Sequence, residues 1–66
     1  MGIAAEIRAE MGRQRVTTTA LARLTGIARP NLSRKLAEKR PLSLHDVERI
    51  AHALNVNLSD LAARAE

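Results

Sequence analysis

The sequence predicts an all-α fold of five short helices, on three observations. Apolar residues recur at helical spacing in successive stretches, and no alternating apolar and polar run of the kind a half-buried strand needs is present. Helix start and stop signals, Ser, Thr or Asn before and Gly or Pro after, punctuate those stretches at close intervals. Finally, 66 residues with no Phe, Tyr, Trp or Cys leave aliphatic packing between helices to supply the core.

Taken in order, Ile3, Ala4, Ile7 and Met11 share one face between Glu6, Arg8 and Glu10, which predicts a first helix ending near Gly12. Thr17 to Thr19 then offer hydroxyls to the unpaired amides of a second helix. Leu21, Ala22 and Leu24 form its expected buried stripe, and Gly26 stops it, because the residue after a helix often needs positive φ. A third helix begins after Ala28 with Pro30 in its first turn, where a missing N–H is tolerated, and turns Leu32 and Leu36 inward. Pro41 interrupts the pattern. Ser43 and Asp46 predict a reciprocal cap for a fourth helix whose stripe is Leu44, Val47, Ile50, Ala51 and Leu54. Asn57 caps a short fifth helix carrying Leu58 and Leu61, with Ala62 to Glu66 expected to fray. Residues 1–66 read as one domain without linker, repeat or low-complexity segment.

Composition narrows the function. Lacking cysteine, the sequence has neither disulfides nor thiolate metal sites, and no apolar run approaches the ~20 residues that cross a bilayer. A soluble, cytoplasmic protein without membrane association is expected. The formal net charge of +4 favours polyanions, and Arg29, Arg34, Lys35, Lys39 and Arg40 supply five of the 11 basic residues within one short segment. Without aromatic rings to stack on bases, a duplex is a better partner than a single strand. His45, Glu48 and His52 share a side of the fourth helix, but the two histidines stand ~10 Å apart along its axis, too far to hold one ion. They read as surface residues, and no metal or other cofactor is expected. No nucleophile with a base, and no glycine-rich phosphate loop, points to an enzyme.

The stretch Thr18 to Arg40, TTALARLTGIARPNLSRKLAEKR, places a short helix, a Gly-centred turn and a basic helix in close succession. Small residues at Ala22 and Gly26 allow two helices to cross tightly, and Leu21, Ile27 and Leu32 seal the corner. Together with the downstream LSL, VERIAHALNV and SDL segments, this resembles the helix-turn-helix family of phage Cro and repressor proteins and their bacterial relatives. The resemblance covers nearly the whole chain and puts the motif itself at about residues 18–37. It implies a compact five-helix bundle of the lambda-repressor-like type that binds double-stranded DNA through its third helix and regulates transcription, most often as a repressor. It also implies a bacterial or phage source. By position, Arg29, Pro30 and Arg34 match the groove-facing sites, and Thr18 matches the site at the start of the first motif helix that holds phosphate or an outer base.

The residues themselves agree with those roles. Arg34 can present a planar fork to the O6 and N7 of guanine. Arg29 can do the same or clamp phosphate, while Pro30 offers shape or contact with a thymine methyl. Asn31 and Ser33 reach a base or phosphate from the flanks. Thr18, Thr19, Lys35, Lys39 and Arg40 suit phosphates, which supply affinity and salt dependence but no direct sequence reading. Arg8, Arg23, Arg49 and Arg64 fall on other faces and read as surface residues. The sequence departs from the family pattern at Ala28, which replaces the usual hydroxyl cap, and at Thr25 and Lys35, which stand where apolar residues are common. Ala37 and Glu38 replace an expected Asn-Gly, so the third helix should run a turn longer before Pro41. A weak homodimer, or pairing only on DNA, is expected through the fifth helix and the end of the fourth, around Leu58 and Leu61. The alternative is a protein-interaction module of the same fold, antitoxin-like or anti-regulatory, that docks a partner protein.

Overall fold

The computed structural model describes residues 2–65. Its helices are α1 (Ile3–Gln14), α2 (Thr18–Thr25), α3 (Arg29–Leu36), α4 (Leu44–Ala53) and α5 (Leu58–Ala65), and no strand occurs among the described residues. The all-α, five-helix expectation holds. α1 packs on α3 and α5, α2 on α3 and α4, and α4 on α5. Each helix turns aliphatic side chains into one shared core, with Ile7, Leu21, Leu32, Ile50, Leu54 and Leu61 fully enclosed.

Local signals account for most helix ends. The Thr17 side chain accepts the Ala20 N–H at 3.1 Å and so starts α2. Gly26 ends it at φ 75°, donating its N–H to the Ala22 carbonyl at 2.9 Å. Ser43 and Asp46 form the predicted reciprocal cap of α4, with Asp46 N–H to Ser43 Oγ at 3.0 Å and Ser43 N–H to Asp46 Oδ2 at 3.1 Å. Asn57 Oδ1 accepts the Ser59 N–H at 2.8 Å at the start of α5.

Three boundaries differ from expectation. α1 passes through Gly12 and reverses at Arg15, where φ is 57°, and Val16 N–H returns to the Met11 carbonyl at 2.9 Å. α3 does not gain a turn: Glu38 takes φ 63°, and the Lys39 N–H closes onto the Arg34 carbonyl at 2.9 Å, ending the helix at Leu36. α5 stays helical through Ala65 instead of fraying from Ala62, because Arg64 Nη1 is 3.1 Å from Glu10 Oε1 on α1. Glu66 lies outside the described residues.

Two leucines expected inside are outside. Leu24 is 63% exposed, since α2 buries Leu21 and Thr25 and half-buries Ala22, a stripe whose centre lies about 100° around the helix from Leu24. Leu44 is 69% exposed because it opens α4 at the rim of the core, about 70° from the line of Val47, Ile50, Ala51 and Leu54. Thr25, a polar residue in an apolar position, is buried with its hydroxyl donating to the Leu21 carbonyl at 2.8 Å and accepting the Ile27 N–H at 3.3 Å. Its polar atom is satisfied within the turn, which removes the cost of enclosing it.

Candidate nucleic-acid interface

α3 is held from beneath by Leu32 and Leu36, spaced one helical turn apart and both buried. At about 100° per residue, Arg34 lies about 180° from the midpoint of that pair, and Pro30 and Asn31 flank it. Arg29, Pro30, Asn31, Ser33 and Arg34 are all exposed. Ala28, extended at ψ 134°, begins the helix with no side-chain cap, so the first amides of α3 are left without a side-chain acceptor.

The starts of α2 and α3 are brought together at the surface. Arg29 Nε donates to Thr19 Oγ1 at 3.0 Å, a contact between exposed side chains ten positions apart in sequence. Thr17, not Thr18 or Thr19, performs the cap, which leaves the Thr19 hydroxyl to accept from Arg29. Thr18 is the first helical residue and is half-buried. Lys39 and Arg40 are exposed in the connection between α3 and α4. Among the described residues, Arg29, Arg34, Lys39 and Arg40 make no ion pair with an acidic side chain. The acids near the other cations are occupied: Glu10 by Arg13 and Arg64, Glu38 by Arg8, and Asp46 by Lys35. The face around α3 is therefore a field of uncompensated positive charge.

Lys35 is placed differently from its basic neighbours. Its Nζ is 2.6 Å from Asp46 Oδ2, with the two side chains only 22% and 10% exposed. Lys35 holds the Asp46 carboxyl below the usual carboxylate range, and the two bonds to Ser43 add to the effect against the opposing pull of burial.

Two arginines read as surface residues hold the motif from behind. Arg49 on α4 donates to the Thr25 carbonyl at the end of α2, and Arg8 on α1 donates to the Leu36 carbonyl at the end of α3. Each satisfies a carbonyl that the helix end leaves open, and each places positive charge at the negative end of the helix dipole. Gly26 stands at φ 75°, where any L side chain is strained, and a Cβ there would also lie 2.9 Å from Arg49 Nη2 and press on that contact. These contacts span 24 and 28 positions in sequence, so no local spacing announces them.

This geometry, two short helices crossing at a glycine turn with the second presenting a cationic outer face, coincides with a family match. Residues 6–65 match the Cro/C1-type HTH DNA-binding domain family. The chain belongs to that family. Comparison with curated proteins and with solved structures yields no significant match. As a Cro/C1-type domain the chain is a DNA-binding module of transcription regulation. Within it, α2 and α3 are the helix-turn-helix pair. No helix among the described residues is long and apolar enough to cross a membrane.

The apolar surface expected to pair two copies is rearranged. Leu61 and Leu54 are fully enclosed in the core and are not part of an outer face. Large apolar side chains are exposed instead at Leu24 on α2 and at the start of α4, where Leu44 borders a groove shared with Leu42, Val47, Leu58 and Ala62.

Proposed function

We propose that this Cro/C1-type domain binds specific double-stranded DNA sequences by laying α3 in the major groove, and that it represses transcription by occupying an operator, in the manner of a phage repressor. The observation that carries the reading is Arg34, which stands opposite the Leu32 and Leu36 anchors on a short helix whose outer face has no acidic partner. A guanidinium so placed meets guanine with two hydrogen bonds, while Arg29, Pro30, Asn31 and Ser33 meet the neighbouring positions. Thr18, Thr19, Lys39 and Arg40 border the groove and take phosphates, fixing register. What supports repression is that a protein seated on a promoter excludes polymerase.

Two copies pair weakly, or only on DNA, through the apolar surface at the start of α4 and along α5, so that two α3 helices enter successive major grooves ~34 Å apart. Selection of bound duplexes from a random pool tests the whole reading. It is expected to return a short two-fold symmetric sequence, and binding to it should weaken steeply as salt rises. Absence of binding to any duplex at low salt would overturn DNA reading and leave a docking role toward a protein.

A further inference from the structure

α3 spans eight residues, about two turns, and its apolar anchors are Leu32 and Leu36 alone. Those two side chains lie nearly on one line along the helix, so packing fixes how deep α3 sits more firmly than how it is rolled about its axis. A roll of 10° at a side-chain radius of ~6 Å carries an outer atom by about 1 Å. That displacement is enough to spoil a two-bond contact with a base edge.

Lys35 stands about 80° around the helix from the centre of the Leu32 and Leu36 line, on the flank that also carries Asn31. From there its ammonium reaches the start of α4 and meets Asp46 Oδ2 at 2.6 Å. The acceptor is itself immobile: the same oxygen takes the Ser43 N–H at 3.1 Å, and the Asp46 N–H donates to Ser43 Oγ at 3.0 Å. A charge-assisted bond to a carboxylate so fixed, and largely enclosed, resists a roll that would carry Lys35 away from α4. We infer that Lys35 is a positioning residue, a tether to Asp46 that sets the roll of α3 and hence the aim of Arg34 and Asn31, and not one of the phosphate contacts.

The inference rests on the DNA-reading proposal and differs in sign from a phosphate role. A phosphate contact adds to affinity for every sequence and to the salt dependence; a tether adds to discrimination alone. Binding to the selected duplex and to a random duplex is measured across a salt series for the parent chain and for Lys35→Met, Lys35→Arg, Asp46→Asn and Lys39→Ala. Lys35→Met is expected to leave the slope of log affinity against log salt unchanged and to lower the ratio of selected to random affinity about tenfold, roughly the loss of one well-aimed base contact. Lys35→Arg keeps the pair and should restore the ratio. Lys39→Ala should lower the slope by about one with the ratio intact.

Asp46→Asn separates the two roles even if Lys35→Met does not fold. It preserves the shape of the α4 cap and removes no cation, while taking the charge from the carboxylate that Lys35 meets. As the other half of the tether, it should lower the ratio as Lys35→Met does. If Lys35 binds phosphate, Asp46→Asn instead releases it and raises affinity for random duplex with the ratio kept. That result, or a Lys35→Met slope reduced by about one, would overturn the inference. If the parent chain binds no duplex, the DNA-reading proposal falls, and Lys35 with it; if it binds with a normal slope while the ratio is insensitive to both tether variants, only the tether falls.

Discussion

The carboxylate of Glu10, buried on α1, gathers three side chains. Arg13 Nη2 lies 2.9 Å and Arg64 Nη1 3.1 Å from its Oε1, while Gln14 donates to Oε2 at 2.9 Å and also to the Leu54 carbonyl at 2.7 Å. One acid on α1 is thereby joined to α5 and, through Gln14, to the end of α4. The Gln14 bond first, then those from Arg13 and Arg64, hold the Glu10 carboxyl down at about 2, from an ordinary 4.5. Because the folded value is the lower one, the stabilisation is fully present above about 4.5 and is lost as pH falls through about 2. Urea unfolding of the parent chain and of Glu10→Gln should show a stability difference at pH 6 that narrows steadily below pH 4.5. A difference that stays constant over this range would mean that Glu10 acts by shape, not charge. Arg34 makes the complementary residue-scale case, since it faces solvent and touches no acid. Arg34→Ala should leave unfolding unchanged within about 0.5 kcal/mol. It should erase preference at one base position of the selected duplex, a change of about 1 to 3 kcal/mol read by competition binding.

At the scale of the element, α3 is the helix least supported by its own sequence. Ala28 has the extended backbone of a cap residue but no hydroxyl, and Pro30 has no N–H to be capped. A serine at 28 could therefore serve the Asn31 N–H alone, with no change of charge on the cationic face of α3. Ala28→Ser is expected to stabilise the fold by about 1 kcal/mol, a rise in melting temperature of about 4 to 8 °C for a chain of this size. An unchanged melting temperature would show that the helix start is already satisfied by water. The same element shows what the sequence makes legible. Ser43 with Asp46, Gly26, Pro30 and the Leu32 and Leu36 pair act within a turn or two of themselves, and a reader of spacing finds them. The stops at Arg15 and Glu38 escape notice because a non-glycine residue takes the left-handed conformation at each, at φ 57° and 63°. The outward setting of Leu24 and Leu44 escapes as well, since each lies near an apolar stripe and only the neighbouring helices decide on which side of the core's edge it falls. For the candidate interface, the exposure of Pro30, Asn31 and Arg34 follows from a wheel drawn on two leucines, whereas Arg29 falls on the leucine side of that wheel and is exposed at the first position of the helix. The partners of Lys35, Arg8 and Arg49 do not follow from it, because their acceptors are 11, 28 and 24 positions away, and a cation on a flank reads the same whether it meets water, phosphate or a helix end.

Across the whole molecule, the apolar groove at the start of α4 adjoins the cationic segment, since Ile3 and Leu42 line both that groove and the pocket bordered by Lys35, Lys39 and Arg40. Arg29, Arg34, Lys39 and Arg40 stand on α3 and its connection to α4 without an acidic partner, while Arg8, Arg13, Arg64 and Lys35 are paired with Glu38, Glu10 and Asp46. A single copy offers one eight-residue helix to a duplex and can read only a few base pairs, each worth about 1 to 3 kcal/mol. Pairing two copies doubles the reading, and the exposed Leu44, the one of the two exposed leucines that borders an apolar groove with Leu58 and Ala62, offers area for such a contact. Leu44 is the first residue of α4, so Leu44→Gln should preserve the helix, the core and the net charge. Affinity for a duplex with one half-site, and its salt slope, should match those of the parent chain. On a duplex with two half-sites, the second copy should bind about tenfold more weakly in the variant, since removing a leucine from each side of a two-fold contact forfeits burial worth at least ~1.5 kcal/mol. Stepwise binding on the two duplexes distinguishes this from any general loss of fold, which would lower both affinities together. Equal cooperativity in the two proteins would place the pairing contact away from the start of α4.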